Sequence, residues 1–164
     1  MTLTLRPLLT EDAAAYRAIR LEALRAHPDA FSASYEAEAA QPLDFFVERL
    51  AGGVVFGGFL GDTLVGVAGF RTQTNPKLAH KGFLWGMYVR PEARGTGLAR
   101  RLVEAVLAHA RGRVELVQLT VVAGNAVARR LYASAGFTPY GLESRALKVD
   151  GRYLDDVLMV KMLV

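Results

Sequence analysis

From Ala51 to Phe70 the chain is almost wholly apolar, yet it holds seven glycines, with Gly61-Asp62 at its middle. The stretch has the length of a membrane span, but its glycines argue against a helix, and a leading glycine suits a two-residue hairpin turn. It predicts two antiparallel strands, Val54 to Leu60 and Thr63 to Arg71. A sheet therefore occupies the middle of the chain, and the flanking segments must supply its remaining strands and its cover.

Upstream, Leu3 to Arg6 reads as a short strand. Thr10 offers a hydroxyl N-cap followed by Glu11 and Asp12, acids favoured at the positive end of a helix. Tyr16, Ile19 and Ala23 mark the helical stripe, which stops before Pro28 because that proline pushes His27 out of helical angles. Ala30 to Gln41 has no clear period. A second helix starts at Pro42, buries Leu43, Phe46, Val47 and Leu50, and ends at Gly52-Gly53.

Downstream, a strand over Gly82 to Val89 follows a loop containing Asn75-Pro76. Leu98, Leu102, Val103, Val106, Leu107 and Ala110 then fall at helical spacing, with Gly112 as terminator. Val114 to Val122 is apolar enough for a central strand. Asn125 caps a short helix ending at Gly136, and the remainder forms a hairpin around Asp150-Gly151 that sets Arg145 opposite Asp156. The expected fold is mixed α/β (α+β), a mostly antiparallel twisted sheet of about seven strands with about four flanking helices. One local β-α-β unit, Gly82 to Val122, is expected to be parallel. No linker or repeat divides residues 1–164, so one domain is expected.

The absence of cysteine among 164 residues excludes a disulfide scaffold and any cysteinyl-acyl or cysteinyl-redox intermediate. His27, His80 and His109 lie far apart without ligand spacing, so no metal site is predicted. The net charge is +4, and 16 of the 20 basic residues are arginine. That excess fits phosphate-bearing ligands, and equally a genome rich in arginine codons; it does not indicate nucleic acid. Arg6, Glu11 and Asp12 interrupt the first residues, which do not form a secretory signal, and a soluble cytoplasmic protein without a membrane partner is expected.

Chemistry concentrates in Val89-Arg90-Pro91-Glu92-Ala93-Arg94-Gly95-Thr96-Gly97-Leu98-Ala99-Arg100-Arg101. Two glycines allow a tight turn whose amides approach a ligand at a helix N-terminus, where free donors and the dipole attract anions. Arg94, Arg100 and Arg101 gather at the same end, where a positive charge costs about 0.3–1 kcal/mol each. A bound polyphosphate reverses that sign, although a glycine loop with arginines pointing into water is the plainer alternative. A P-loop would need Gly-Lys-Ser/Thr, and a dinucleotide fingerprint a third glycine where Arg100 stands.

Arg94-Gly95-Thr96-Gly97-Leu98-Ala99 instead resembles the Arg/Gln-x-x-Gly-x-Gly/Ala pyrophosphate loop of the GNAT superfamily of acyl-CoA-dependent N-acyltransferases. The resemblance extends over nearly the whole chain. It takes in the strand ending Val89-Arg90-Pro91, the strand to Val122, Asn125, the helix with Leu131-Tyr132, and Gly136-Phe137. His27-Pro28-Asp29-Ala30-Phe31 with Glu36 and Glu38 is similar to one bacterial branch.

The resemblance implies transfer of an acetyl group from acetyl-CoA directly to a primary amine of a small molecule or a protein. It assigns the loop Arg94, Gly95, Thr96, Gly97, Leu98, Ala99 and Arg100 to the pyrophosphate, and backbone at Met87 and Val89 to the pantetheine arm. Gly86, inside a bulky strand, marks the bulge expected there. Asn125 is placed beside the cofactor and Tyr132 as the general acid that protonates the departing thiolate. Alone, Asn125 also suffices as an N-cap and Tyr132 as core packing.

Many relatives carry a glutamate on the strand before the loop, but Lys81 to Arg90 contains no carboxylate. Glu36 is therefore expected as the general base, with Glu38 and His80 as alternatives, and His109 as structural. Without the chemistry, the same loop would make an acyl-CoA sensor. An RNA-binding reading finds no interleaving of aromatic and basic residues to support it. Family habit makes a homodimer through the last strands an expectation.

Overall fold

The computed structural model describes residues 1–164. It contains seven strands: β1 (Leu3–Pro7), β2 (Val54–Leu60), β3 (Thr63–Thr72), β4 (Lys81–Val89), β5 (Leu116–Val122), β6 (Thr138–Val149) and β7 (Arg152–Met162). Five helices accompany them: α1 (Ala13–Ala26), α2 (Tyr35–Ala39), α3 (Leu43–Gly52), α4 (Leu98–Ala110) and α5 (Ala126–Ser134). One sheet runs in the order β1-β2-β3-β4-β5-β7-β6, with β4–β5 its only parallel pair. The fold class expected from sequence is the one observed.

Strand side chains alternate between two faces, and each face has its own core. Leu98, Leu102, Val103 and Val106 of α4 pack with Val65, Ala68, Phe70 and Leu84. Tyr16, Ile19 and Ala23 of α1 join Phe46 and Leu50 of α3 on the other face, against Val55, Phe59 and Val67. Helices therefore cover both sides. A β-carbon at Gly66 would stand 2.8 Å from Leu98 Cδ2, so glycine there lets the start of α4 settle onto β3. His109, at the far end of α4, meets Phe56 and Phe70 edge-on with ring centroids 5.9 and 5.3 Å apart. Burial pushes its imidazole below the usual value, as suits a packing residue.

Three local expectations differ from the structure. Thr10 does not cap α1 with its hydroxyl; Thr10–Asp12 forms a 3₁₀ turn, and the Asp12 carboxylate accepts from the Leu9 amide at 2.7 Å and from Arg6 at 2.8 and 3.0 Å. An acid holding two donors satisfies the helix entry better than a hydroxyl with one. Ala30 to Gln41 hides α2, whose N-cap Ser34 accepts from Ala37 N at 3.1 Å; five residues are too few to show a period.

In the final hairpin Asp156 faces Glu143, not Arg145, because β6 bulges between Glu143 and Leu147. Arg145 adopts φ 54° in that bulge, and its amide donates to Asp155 Oδ1 at 2.8 Å. Counting from the turn holds for Val149↔Arg152 through Leu147↔Leu154, and the bulge then shifts the register by two. Ala51 to Phe70 forms the end of α3 and the β2–β3 hairpin as expected, and no helix is long and apolar enough to cross a membrane.

Candidate active site

The parallel pairing of β4 with β5 covers only Lys81–Phe83 against Leu116–Gln118. Beyond it β4 continues to Val89 and β5 to Val122 without pairing, so the sheet opens into a V at the carboxyl ends of its two parallel strands. On the other side of β4 the register with β3 shifts between Val67 and Gly69, which gives β4 one extra residue, and Gly86 takes φ +65° there. This is the bulge expected from a glycine in a bulky strand. It turns β4 away from β5.

A cavity of about 740 Å³ occupies the V. Trp85, Gly86 and Met87 line it from β4, Leu119 to Val122 from β5, and Asn125 and Tyr132 from α5. Its far end is closed by Arg20 of α1, Glu38 of α2 and Arg49 of α3.

Asn125 caps α5 by accepting from Ala128 N through Oδ1 at 3.2 Å. The cap fixes the side chain at the mouth of the V. Tyr132 lies two turns along the same helix, 6% exposed, with its ring edge-on to Phe137 at 6.0 Å. Its hydroxyl has no protein partner, and burial pushes it well above the ordinary phenol value. A phenol so placed keeps its proton at neutral pH and can deliver it to an anion forming in the cavity.

The glycine loop stands outside this cavity, at the start of α4. Gly95 and Gly97 take φ +77° and +83°, a conformation costly to other residues. The amides of Gly95, Thr96, Gly97, Ala99 and Arg100 donate to no protein acceptor, whereas that of Leu98 reaches Thr96 Oγ1 at 3.3 Å. Such free donors at a helix N-terminus form an anion cradle.

The surrounding arginines are less uniform than their spacing suggested. Arg94 Nε donates to the Val89 carbonyl at 3.1 Å, which occupies one of the backbone groups expected to meet the pantetheine arm. Arg100 is paired with Glu104 at 2.9 Å and donates to Ser134 Oγ at 3.1 Å. Part of the charge at the helix start is thus offset one turn along.

Neither carboxylate weighed as the base stands free inside the cavity; the one unpaired carboxylate that lines it is that of exposed Glu48 on α3. Glu36 is exposed on α2 and does not line it. Glu38, one helical turn from Ser34, does line it but is held by both Arg20 (3.0 and 3.1 Å) and Arg49 (3.1 and 3.3 Å). Burial pushes its carboxyl up, but the hydrogen bonds from Arg20 and Arg49 outweigh that and hold it below the usual carboxylate value, which makes it a poor proton acceptor. His80 is outside the cavity, and His27 packs against Tyr88 at 5.7 Å. No group of three potential ligands gathers for a metal.

Sequence reasoning had missed the Arg20–Glu38–Arg49 cluster. Its signal was a charge on an apolar stripe: Arg20 shares the buried face of α1 with Tyr16, Ile19, Ala23 and Leu24.

A bulged strand splayed from its parallel neighbour, beside a glycine loop that opens a helix, is the architecture of an acyl-CoA-dependent acyltransferase. The chain belongs to the acetyltransferase (GNAT) family, whose model it matches over residues 16–137.

It is 36% identical over 120 residues to the N-alpha-acetyltransferase RimI of Mycobacterium tuberculosis, a match covering 73% of this chain and 68% of that protein. It is also 37% identical over 105 residues to the mycothiol acetyltransferase of Thermobispora bispora, covering 62% of this chain but only 32% of that longer protein. The crystal structure of the ribosomal-protein-alanine N-acetyltransferase of Brucella melitensis superposes with a TM-score of 0.84 at 26% identity, covering 98% of this chain and 99% of that one. This chain is an acetyltransferase that takes its acetyl group from acetyl-CoA and passes it to an amine. Its residues fit that donor, with unbonded amides for a diphosphate and an open strand edge for an extended arm.

Proposed function

We propose that this enzyme acetylates a primary amine by direct transfer, with Tyr132 as general acid. The amine nitrogen forms a bond to the thioester carbonyl carbon, the carbon–sulfur bond breaks, and the phenol proton passes to the departing sulfur. The amine's surplus proton leaves to solvent, and a solvent proton restores the phenol. Acetyl-CoA supplies the activated acyl group. The loop from Arg94 to Arg100 binds its diphosphate through free amides, and the unpaired edge of β4 around Met87 and Val89 receives its arm by main-chain hydrogen bonds. Asn125 stands where that arm would end. Positioning of this kind supplies much of the rate of a two-substrate transfer.

With Glu36 outside the cavity, Glu38 clamped and Glu48 exposed to solvent, water takes the proton from the ammonium. β1, β6 and β7 lie wholly outside the family match yet belong to the same sheet, which supports one catalytic unit over residues 1–164. Exposed Tyr140 and Leu142 on the edge strand β6 favour a homodimer through that edge. A cytoplasmic setting, with no nucleic acid or membrane partner, suits a substrate of cellular metabolism.

The observation that carries this reading is the largely buried Tyr132 in the V beside Asn125, whose hydroxyl has no protein partner and is open to the cavity. Free-thiol release with a panel of amines tests it. Tyr132→Phe should lower kcat by about 100-fold or more, the usual worth of a positioned acid, with little change in KM for acetyl-CoA. Equal turnover in both proteins removes Tyr132 from the mechanism. Coenzyme A binding without turnover on any amine would mark a sensor instead.

A further inference from the structure

We infer that the acceptor carries a carboxylate next to its reacting amine, and that Arg20 holds that carboxylate; this rests on the acetyltransferase reading above and specifies its substrate. Arg20 is 6% exposed, and its Nε and Nη2 are spent on Glu38. Nη1 has no protein acceptor. It points at the bulge, since a β-carbon at Gly86 would stand 3.4 Å from it. An unpartnered guanidinium nitrogen, open to the cavity, therefore faces the segment of β4 where the thioester must lie if the arm follows that strand.

The charges around it have the same sense. The cavity is lined by Arg20, Arg49 and Arg71 against Glu38 and Glu48. Glu48 is exposed, and the far end holds buried Arg20 and half-buried Arg49 against the one buried carboxylate of Glu38. Their aromatic neighbours bring no counter-charge: Trp85 stacks with both arginines, centroid distances 5.6 and 5.3 Å, and Phe31 with Arg20 at 5.6 Å. An unmatched buried cation is costly, and an anionic substrate group offsets the cost while accepting the free N–H.

The position sets the spacing as well. A guanidinium beside the thioester can reach only a carboxylate separated from the reacting nitrogen by one or two carbons, as in a free amino acid. The terminus of a peptide carries an amide at that place. A polyamine carries a second positive charge, which Arg20 and Arg49 would repel.

The test pairs free amino acids with their carboxamides and scores free-thiol release as the ratio of kcat/KM within each pair. The carboxylate member should be preferred by on the order of 10- to 100-fold, as for a hydrogen bond to a charged group. In Arg20→Met, which leaves Glu38 paired one-to-one with Arg49, that ratio should fall to about 1. Arg20→Lys keeps a cation against Glu38 and guards against misfolding; it should show an intermediate ratio.

Calorimetry of the same pairs on protein saturated with coenzyme A gives a readout that does not need turnover, and there only the carboxylate member should bind. Equal rates and equal heats for both members overturn the proposal. So does a preference that survives Arg20→Met, or a variant that slows both members alike, since Arg20 would then act on the thioester or on the fold. If the carboxylate member binds but no amine is ever acetylated, the acetyltransferase reading fails while the assignment of Arg20 stands.

Discussion

Glu38 accepts two hydrogen bonds from Arg20, at 3.0 and 3.1 Å, and so ties α2 to α1 across 18 residues of sequence. Arg49 of α3 holds the same carboxylate, and the three helices that close the far end of the cavity are thereby fixed to one another. Glu38→Gln leaves the buried Arg20 and half-buried Arg49 guanidiniums without an anion and should cost about 3–5 kcal/mol in chemical denaturation. The pH dependence has a definite sign. Because the folded carboxyl lies below its usual value of 4.5, its contribution is present above that pH and is lost as pH falls through the lower folded value. Unfolding followed downward from pH 5 should show a loss of stability in the wild type that Glu38→Gln lacks.

The proton route can be tested through the acceptor's own ionisation. With water as the proton acceptor, kcat/KM for the amine should rise about tenfold per pH unit until the amine's pKa, near 8–10 for ordinary amines, is reached. Glu36→Gln should follow the same profile within about twofold. A plateau well below the amine's pKa that disappears in Glu36→Gln would restore Glu36 as the base.

The diphosphate loop depends on backbone angle rather than on space. A β-carbon at Gly97 would meet nothing within 4 Å, but φ +83° is unfavourable for any other residue. Gly97→Ala should cost about 1–2 kcal/mol of loop conformation, raising KM for acetyl-CoA roughly 5- to 30-fold with kcat nearly unchanged. An unchanged KM would show that the free amides of this loop do not hold the donor.

Tyr88, on the strand that leads to the loop, donates to Glu22 of α1 at 2.8 Å, while Arg90 pairs with the same carboxylate at 3.1 Å. Burial, and then the hydrogen bond to Glu22, push the Tyr88 phenol up to about 12. The neutral phenol is the form the fold prefers, so stability should be intact below the ordinary value of 10.0 and decline as pH rises toward 12. Ultraviolet titration should find Tyr88 among the late-ionising tyrosines, with Tyr16 and Tyr132, and Glu22→Gln should bring one of the three earlier.

The sequence carried the frame of this protein because that frame follows from local physics. Glycine spacing marked the β2–β3 hairpin, helical periodicity marked α4, and a single glycine among bulky residues marked the bulge of β4. Asn125 was legible as a cap, and the glycine loop as an anion cradle, because turn and helix-end chemistry depends on neighbours in the chain. The Arg145 register failed at a bulge, whose insertion leaves no mark in a count of residues outward from a turn.

The far end of the cavity was decided only in three dimensions. Arg20, Glu38 and Arg49 come from three separate helices, and no periodicity links them; only packing on one face of the sheet brings their charges within hydrogen-bonding distance. Glu36 and Glu38 differ by two positions and looked interchangeable in the sequence. On a helix two positions is slightly more than a half-turn, so one points to solvent while the other is buried between guanidiniums.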